Sequence, residues 1–158
     1  MGNNPKNTMA NTFTCLQYHL VFSTKHREPW LRADVQERVW AYLGGIARQN
    51  QLIPLLVGGV DDHIHMLVAI SPTIAVSEAL KQVKGASSGW IRQNVSGCRS
   101  FGWQDGYGAF TLSKSQESEV KDYIRKQREH HRIKTFQQEY RALLERHAIK
   151  YDDRYLWD

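Results

Sequence analysis

The chain has 158 residues, 41% hydrophobic and 23% charged, which suits one globular domain with an ordinary core and excludes a second of similar size. Lys and Arg total 21 against 16 acidic residues, and the resulting formal charge of +5 favours an anionic partner, although many proteins carry such an excess for solubility alone. Cys15 and Cys98 match neither a disulfide framework nor a thiolate metal site, so we expect a reducing cytoplasm. No apolar run approaches the ~18 residues that cross a bilayer.

Hydrophobic periodicity and turn residues predict the elements in chain order. The polar N-terminus predicts a disordered leader at 1–12, ahead of a single domain at 13–150 and a tail at 151–158. Within the domain the patterns predict a strand at 13–24, a helix at 33–50, strands at 52–60 and 63–70, a helix beginning near 71–73, a strand at 109–113, and helices at about 115–132 and 136–147.

The predicted order is β-α-β-β-α-β followed by helices. This order is typical of an α+β, ferredoxin-like antiparallel sheet with helices on one face and an appended C-terminal helical segment. The short turn at Asp61 and Asp62 makes the second and third strands a hairpin.

Two histidines open the third predicted strand, in the stretch DDHIHMLVAI (61–70). Side chains alternate across a strand, so His63 and His65 share one face while Ile64 points to the core on the other. Such a pair can bind a divalent metal, and the alternative is two solvent-facing histidines on an open sheet face. On either interpretation the two side chains point outward and contribute little to core packing. A catalytic metal usually takes a third protein ligand.

The predicted helix at 115–132 carries Tyr123 and Gln127 one turn apart on one face. A tyrosine can act as a nucleophile and a glutamine carbonyl as a hard oxygen ligand, although helix packing is the alternative role for Tyr123. Between positions 121 and 134 there are six Lys or Arg against two acids, a cationic run that would suit a phosphodiester substrate or form a solvated face.

Five stretches in this order carry a resemblance: STKHR (23–27), DHIHMLV (62–68), LKQVKGASS (80–88), the loop 103–108 before a strand, and VKDYIRKQ (120–127). Together they resemble the IS200/IS605-type single-domain tyrosine transposases of the His-hydrophobic-His (HUH) endonuclease group, over about residues 13 to 150. The appended helical segment would then carry the nucleophile.

The resemblance implies roles at matching positions. Tyr123 would be the nucleophile, with His63, His65 and Gln127 as ligands of Mg²⁺ or Mn²⁺, although imidazole suits zinc better. Attack on single-stranded DNA would leave a 5′-phosphotyrosine link and a free 3′-OH, so the same chemistry could cut and rejoin element ends that contain hairpins. No general base for Tyr123 is evident in the sequence.

The resemblance also implies a homodimer with composite active sites, in which the tyrosine helix of one protomer serves the histidine pair of the other. Candidate DNA contacts are basic side chains for phosphates and aromatic side chains for bases, the latter with a core role as the alternative. These candidates are Lys25, His26, Arg27, Lys84, Arg92, Arg125, Arg128 and Arg132, with Trp90, Trp103 and Tyr107 for stacking.

Three other functions remain compatible with the sequence. A non-catalytic nucleic-acid-binding protein would use the same basic helix without forming a covalent link. In a metal-dependent hydrolase, water would replace the tyrosine. A domesticated, repeat-associated tyrosine transposase would share the chemistry, although the glutamine at 127 favours a mobile-element enzyme.

Overall fold

A computed structural model describes residues 11–157, so most of the predicted leader lies outside the described residues. Its centre is a four-stranded antiparallel sheet in the spatial order β2-β3-β1-β4. The strands are β1 (Gln17–Ser23), β2 (Ile53–Gly59), β3 (His63–Ala69) and β4 (Gly108–Leu112). The helices are α1 (Ala33–Gln49), α2 (Val76–Asn94), α3 (Glu117–Arg125), α4 (Gln127–His130) and α5 (Phe136–Arg146). The predicted ferredoxin-like α+β fold is confirmed.

Helices α1 and α2 cover one face of the sheet, as the sequence predicts. The even-numbered side chains of β1 and β3 point towards them, because alternation along each strand sends alternate residues to this face. The resulting core includes Leu20, Phe22, Leu43, Ile64, Met66, Val68, Leu80, Val83 and Ile91. Within residues 11–157 no helix combines the length and the apolar character needed to span a membrane.

The C-terminal segment covers the opposite face of the sheet. Helix α5 has an apolar stripe that packs against Val21 of β1 and Phe110 of β4 in a second hydrophobic cluster. The chain then returns across this cluster, where its last aromatic side chains pack. The α5 and tail members of the cluster are Phe136, Tyr140, Leu143, Leu144, Tyr151, Leu156 and Trp157. The face of the sheet that carries the odd-numbered residues of β3 is therefore also buried.

Two predicted helix boundaries are wrong. The helix expected to begin near 71–73 begins at Val76, because the preceding residues form turns. The single helix expected over 115–132 is divided at Lys126, whose φ of −92° and ψ of 15° leave the helical region. Helix α3 ends before this bend and the short α4 begins after it, with Gln127 as its first residue and buried.

Glycines allow two close approaches at the end of β2. Gly59 has a φ of 149°, and a Cβ there would lie 2.3 Å from the carbonyl oxygen of His63, so only glycine fits the turn into β3. A Cβ on Gly58 would lie 2.7 Å from Cγ2 and 3.2 Å from the carbonyl oxygen of Ile124 in α3. The bare backbone of Gly58 thus lets α3 dock directly on the sheet.

We predict that Gly58→Ala lowers the free energy of unfolding by about 1–3 kcal/mol, because the new methyl group overpacks this contact. Urea denaturation measures the change. The matched control is Gly45→Ala inside α1, where a Cβ meets nothing within 4 Å and where alanine should stabilise the helix by up to about 1 kcal/mol. Equal stabilities for the two variants would contradict the close approach of α3.

Candidate active site

The two histidines of β3 lie side by side beneath the C-terminal segment. His63 pairs with Ser23 and His65 with Val21 in the antiparallel register, so both side chains leave the sheet on the α5 side. Both have 0% relative exposure. The prediction of outward side chains that contribute little to packing is therefore wrong, because the C-terminal helices cover this face. Substitution of either histidine will affect the fold as well as the chemistry.

Each histidine is oriented through its Nδ1 atom. His63 Nδ1 lies 2.6 Å from Asp62 Oδ1, and His65 Nδ1 lies 2.7 Å from Nε2 of the buried His19. Ligand histidines in metalloproteins commonly hold the second ring nitrogen in this way. The two Nε2 atoms are thereby aimed at one region in front of the strand.

A carboxylate from α5 lies in that region. Glu139 Oε1 is 2.9 Å from His65 Nε2, 3.2 Å from His63 Nε2 and 3.2 Å from His131 Nε2. Glu139 is buried, and its oxygen and the imidazole nitrogens of His63 and His65 all lie within 4.8 Å of one another. Two imidazoles and one carboxylate form a donor set that binds divalent ions.

Tyr123 and Gln127 reach the same carboxylate from the other side. The Tyr123 hydroxyl donates a hydrogen bond to Glu139 Oε2, and Gln127 Nε2 donates to the same oxygen at 3.0 Å. The Gln127 carbonyl oxygen lies 3.0 Å from His63 Nε2. All four residues that the sequence singles out for the site therefore meet within one chain, around an acid that the sequence analysis missed.

The pKa values of Tyr123 and Glu139 depend on burial and on the contacts of the Glu139 carboxylate. Burial raises the pKa of the Tyr123 phenol, and the negative charge and hydrogen bond of Glu139 raise it further, far above its usual value. Burial would also raise the pKa of Glu139, but its close contacts with the imidazoles of His131, His63 and His65 outweigh burial and hold the carboxyl ionised. Without a metal ion, Tyr123 is a neutral phenol held by an anionic acceptor.

The same network makes the stability of the metal-free protein depend on pH. Burial lowers the pKa of His63, yet hydrogen bonds to Asp62 and Glu139 outweigh it and raise the pKa to about 9 from 6.5. Because His63 binds its proton more tightly in the folded state, protonated His63 stabilises the fold fully below pH 6.5, and this contribution is lost as the pH rises towards 9. Burial lowers the pKa of Lys84 to about 8, so Lys84 makes the free energy of unfolding rise with pH above 8.

We predict that the chelator-treated protein loses on the order of 2 kcal/mol of this contribution between pH 6.5 and 8. Urea midpoints across this range measure the loss. Asp62→Asn, which removes one acceptor of the His63 proton, should flatten the profile. A midpoint that rises with pH in both proteins would contradict a protonated His63.

The sequence did contain a signal for Glu139. It lies on α5 between Phe136 and Tyr140, in the middle of the apolar stripe, and an acid inside such a stripe needs a buried partner. His19 and His131, which contact the cluster, gave no comparable signal, because single histidines occur in many packed environments.

The predicted DNA contacts are spread over both faces. Arg125 lies on α3, where its guanidinium is 3.4 Å from Asp122, and Arg132 follows α4. Arg128 lies on α4 and donates a hydrogen bond of 3.0 Å to Gln36 of α1. Lys84 and Arg92 lie on α2, on the opposite side of the sheet. Their side chains hold the loop before β4: Lys84 Nζ donates to the carbonyl of Gln104 at 2.6 Å and to those of the next two residues, and Arg92 to that of Phe101.

The basic turn after β1 has an unusual backbone. His26 and Arg27 have φ values of 57° and 56°, in the left-handed region that side chains rarely adopt. Lys25 and His26 are exposed, and Arg27 packs over the ring of Trp157 at 5.3 Å. This turn therefore presents cations beside the C-terminal tail.

Two of the three aromatic candidates have structural roles. Trp103 is buried against Phe22 and donates a hydrogen bond to Ser87, which supports the core alternative. Trp90 stacks on Tyr42 with ring centroids 4.3 Å apart. Tyr107 is 36% exposed and lines an open pocket with Lys84.

A histidine pair and a helix-borne tyrosine that converge on a ferredoxin-like sheet define the tyrosine transposase class, and the sequence comparisons agree. Residues 12–127 match the family described as "Transposase IS200 like". The ISDra2 transposase TnpA of Deinococcus radiodurans is 28% identical over 119 residues, covering 71% of this chain and 84% of that protein. The transposase for insertion sequence element IS200 of Salmonella typhimurium is 29% identical over 128 residues, covering 77% and 83%.

Solved structures show the same relationship. A putative transposase from Deinococcus radiodurans aligns with a TM-score of 0.58 and 25% identity, over 73% of this chain and 93% of that one. A REP-associated tyrosine transposase bound to a REP hairpin aligns with a TM-score of 0.57 over 78% of this chain and 74% of that one, and its 12% identity shows the fold alone.

The chain belongs to the IS200-like transposase family, which confirms the resemblance drawn from the sequence motifs. The family implies DNA-cleaving activity. The matched region ends at residue 127, so α5 and Glu139 lie beyond it.

Proposed function

We propose that this protein cleaves and rejoins single-stranded DNA at the ends of a mobile element, through a 5′-phosphotyrosine intermediate at Tyr123, in the cytoplasm of a bacterial or archaeal cell. One observation carries the proposal: the Tyr123 hydroxyl donates to Glu139, the same carboxylate that contacts both imidazoles of the histidine pair. A nucleophilic tyrosine must hold its hydroxyl beside the groups that bind the metal, and this hydrogen bond supports that role for Tyr123.

The residues fit a divalent ion, Mg²⁺ or Mn²⁺. His63 and His65 would bind it through Nε2, with Glu139 and the carbonyl oxygen of Gln127 as the oxygen donors. Bound there, the ion supplies a positive charge that stabilises the developing negative charge on the scissile phosphate and its leaving oxygen. Since both Nδ1 atoms are already held by Asp62 and His19, little side-chain freedom is lost on binding.

The chain's own residues account for the proton. Tyr123 Oη forms a bond to phosphorus while the bond from phosphorus to the 3′ oxygen breaks, and that oxygen leaves as a 3′-OH after protonation. The phenol becomes strongly acidic as its oxygen bonds to phosphorus, so in that same step its proton passes along the existing hydrogen bond to Glu139, and the 3′ oxygen takes a proton from water. In the reverse step a 3′-OH attacks phosphorus and tyrosine leaves, so the bond energy is conserved and no ATP is required.

The substrate strand would be held by cations of the segment that carries Tyr123. Arg125 on α3, Arg128 on α4 and Arg132 after it would supply these cations, and the exposed turn with Lys25 and His26 would add charge at the end of β1. Phosphate contacts of this kind fix the position of a strand without reading its sequence.

A denaturing gel tests the proposal. Purified protein is incubated with Mn²⁺ or Mg²⁺ and a labelled single-stranded oligonucleotide that carries the hairpin of the element's own end. A metal-dependent adduct that survives denaturation is the expected result. Binding without an adduct would favour the non-catalytic protein, and cleavage without an adduct would favour the hydrolase.

We also propose a homodimer, in which each chain completes its own active site. The structure brings Tyr123 to the histidines of the same chain, whereas composite sites would need the partner's tyrosine helix. The two arrangements are distinguished by mixing Tyr123→Phe protein with a His63→Asn variant. A cooperative thermal unfolding transition first establishes that the His63→Asn variant is folded. We predict no adduct above that of either variant alone, and recovery of adduct on mixing would contradict same-chain assembly.

A further inference from the structure

A pocket of about 180 Å³ lies in the groove between α3 and α5, directly beside the tyrosine. Its floor is the sheet, where the rings of His19 and Phe110 lie with centroids 6.2 Å apart. Val120 and Tyr123 of α3 form one wall, and Leu143 of α5 lies on the other. The pocket and the histidine cluster are therefore neighbouring compartments that share Tyr123.

Four rings line this pocket. The ring centroid of Tyr123 is 6.1 Å from that of His19, and the ring centroid of His147 is 4.6 Å from that of Phe110. Ring faces and edges of this kind attract a flat, conjugated partner, and base stacking on such surfaces needs no particular base.

The charges at the pocket favour a neutral occupant. Glu119 and Arg146 both line it, and an Arg146 guanidinium nitrogen lies 3.8 Å from a Glu119 carboxylate oxygen. These opposite charges offset each other, so the pocket is poorly suited to a phosphate group. Thr111 and Gln116 add polar groups that can hydrogen-bond to the edge of a base.

We propose that this pocket receives the unpaired base of a nucleotide that flanks the phosphate attacked by Tyr123. The inference rests on the proposed function, because the strand must place its phosphate at the tyrosine hydroxyl. The flanking base is attached to that phosphate through one sugar, and the pocket begins at the ring of the same tyrosine. Only an unpaired base can leave its stack and enter between the helices.

Part of the pocket lies outside the region that matches the family. Leu143, Arg146 and His147 all lie after residue 127, where the family match ends. A base preference set by this pocket would therefore belong to this chain and to relatives with a similar C-terminal segment.

Sequencing of trapped DNA tests the proposal. A single-stranded library carries the hairpin of the element's end followed by a randomised segment, and both the tyrosine-linked strand and the released strand are sequenced after cleavage. We expect wild-type protein to prefer one base, or one class of base, about tenfold at one of the two positions that flank the cleaved phosphate. An abasic nucleotide at that position should lower the adduct rate about tenfold.

Variants at Val120, which is partly buried, connect this preference to the pocket. Val120→Trp fills the pocket and should reduce the preference to within about twofold and remove the effect of the abasic nucleotide. The matched control Val120→Ala leaves the pocket open and should keep both. Absence of adduct in every protein would refute the proposed function. Adduct with no preference at either flanking position, and no abasic effect in wild type, would refute only the pocket.

Discussion

Replacing Tyr123 by phenylalanine should abolish the covalent protein–DNA adduct, with a fall in its rate of about 10⁴-fold or more. The variant lacks only the oxygen that would bond to phosphorus. Glu139 loses one hydrogen-bond donor but keeps its three imidazole contacts, so the free energy of unfolding should change by only about 1 kcal/mol. Denaturing gels measure the adduct, and fluorescence anisotropy with the same oligonucleotide measures DNA binding, which should stay within about threefold.

The chain contains a matched control for this substitution. Tyr151 donates a hydrogen bond of 3.0 Å to Glu145, so it repeats the tyrosine–glutamate pair at a half-buried position in the C-terminal tail. Tyr151→Phe should form adduct at the wild-type rate. If Tyr123→Phe retained the adduct, the nucleophile would be another residue and the proposed mechanism would be wrong.

Replacing Glu139 by glutamine should lower the affinity for Mn²⁺ by at least about 100-fold. Glutamine keeps the shape of the side chain but removes the negative charge that faces both imidazoles. It also removes the acceptor of the Tyr123 proton, so the adduct rate should fall even when Mn²⁺ is saturating. Isothermal titration calorimetry of metal-free protein measures the first effect, and single-turnover adduct formation measures the second.

Glu145→Gln is the control on the same helix, because Glu145 is exposed and its carboxylate accepts a hydrogen bond from the control tyrosine described above. It should change neither Mn²⁺ affinity nor adduct rate. Unchanged Mn²⁺ affinity in the Glu139→Gln variant would show that the carboxylate serves the phenol alone, and the ion would then depend on the histidines and Gln127.

Much of the fold is evident in the sequence because its signals are local. Alternating apolar residues and the turn at Asp61 and Asp62 predict the hairpin, and the order of the elements predicts the ferredoxin-like sheet. The bend at Lys126 is not local in this sense. The bend allows a buried contact between Gln127 and His63, which are 64 positions apart. The local helical pattern contains no sign of this contact, so it predicts an unbroken helix through Lys126.

The site could be predicted only in part. Alternation shows that His63 and His65 share a face, but it does not show whether another element covers that face. The docking of α5 decides this question, and it depends on contacts with Val21 and Phe110 from distant strands. The same docking brings Glu139 to the imidazoles, which is why the sequence analysis named a nucleophile and three metal ligands but no acceptor for the proton.

The acid at the centre of the site is carried by a helix of only 11 residues. Helices of this length owe their stability to packing, so we expect α5 to detach at a lower free energy than the sheet needs to unfold. Each detachment withdraws Glu139 and uncovers both imidazoles at once. Docking and detachment of α5 are therefore a single local equilibrium, in which the docked state has an assembled site and the detached state exposes the histidine pair to solvent. A ligand that binds the assembled site shifts this equilibrium towards the docked state.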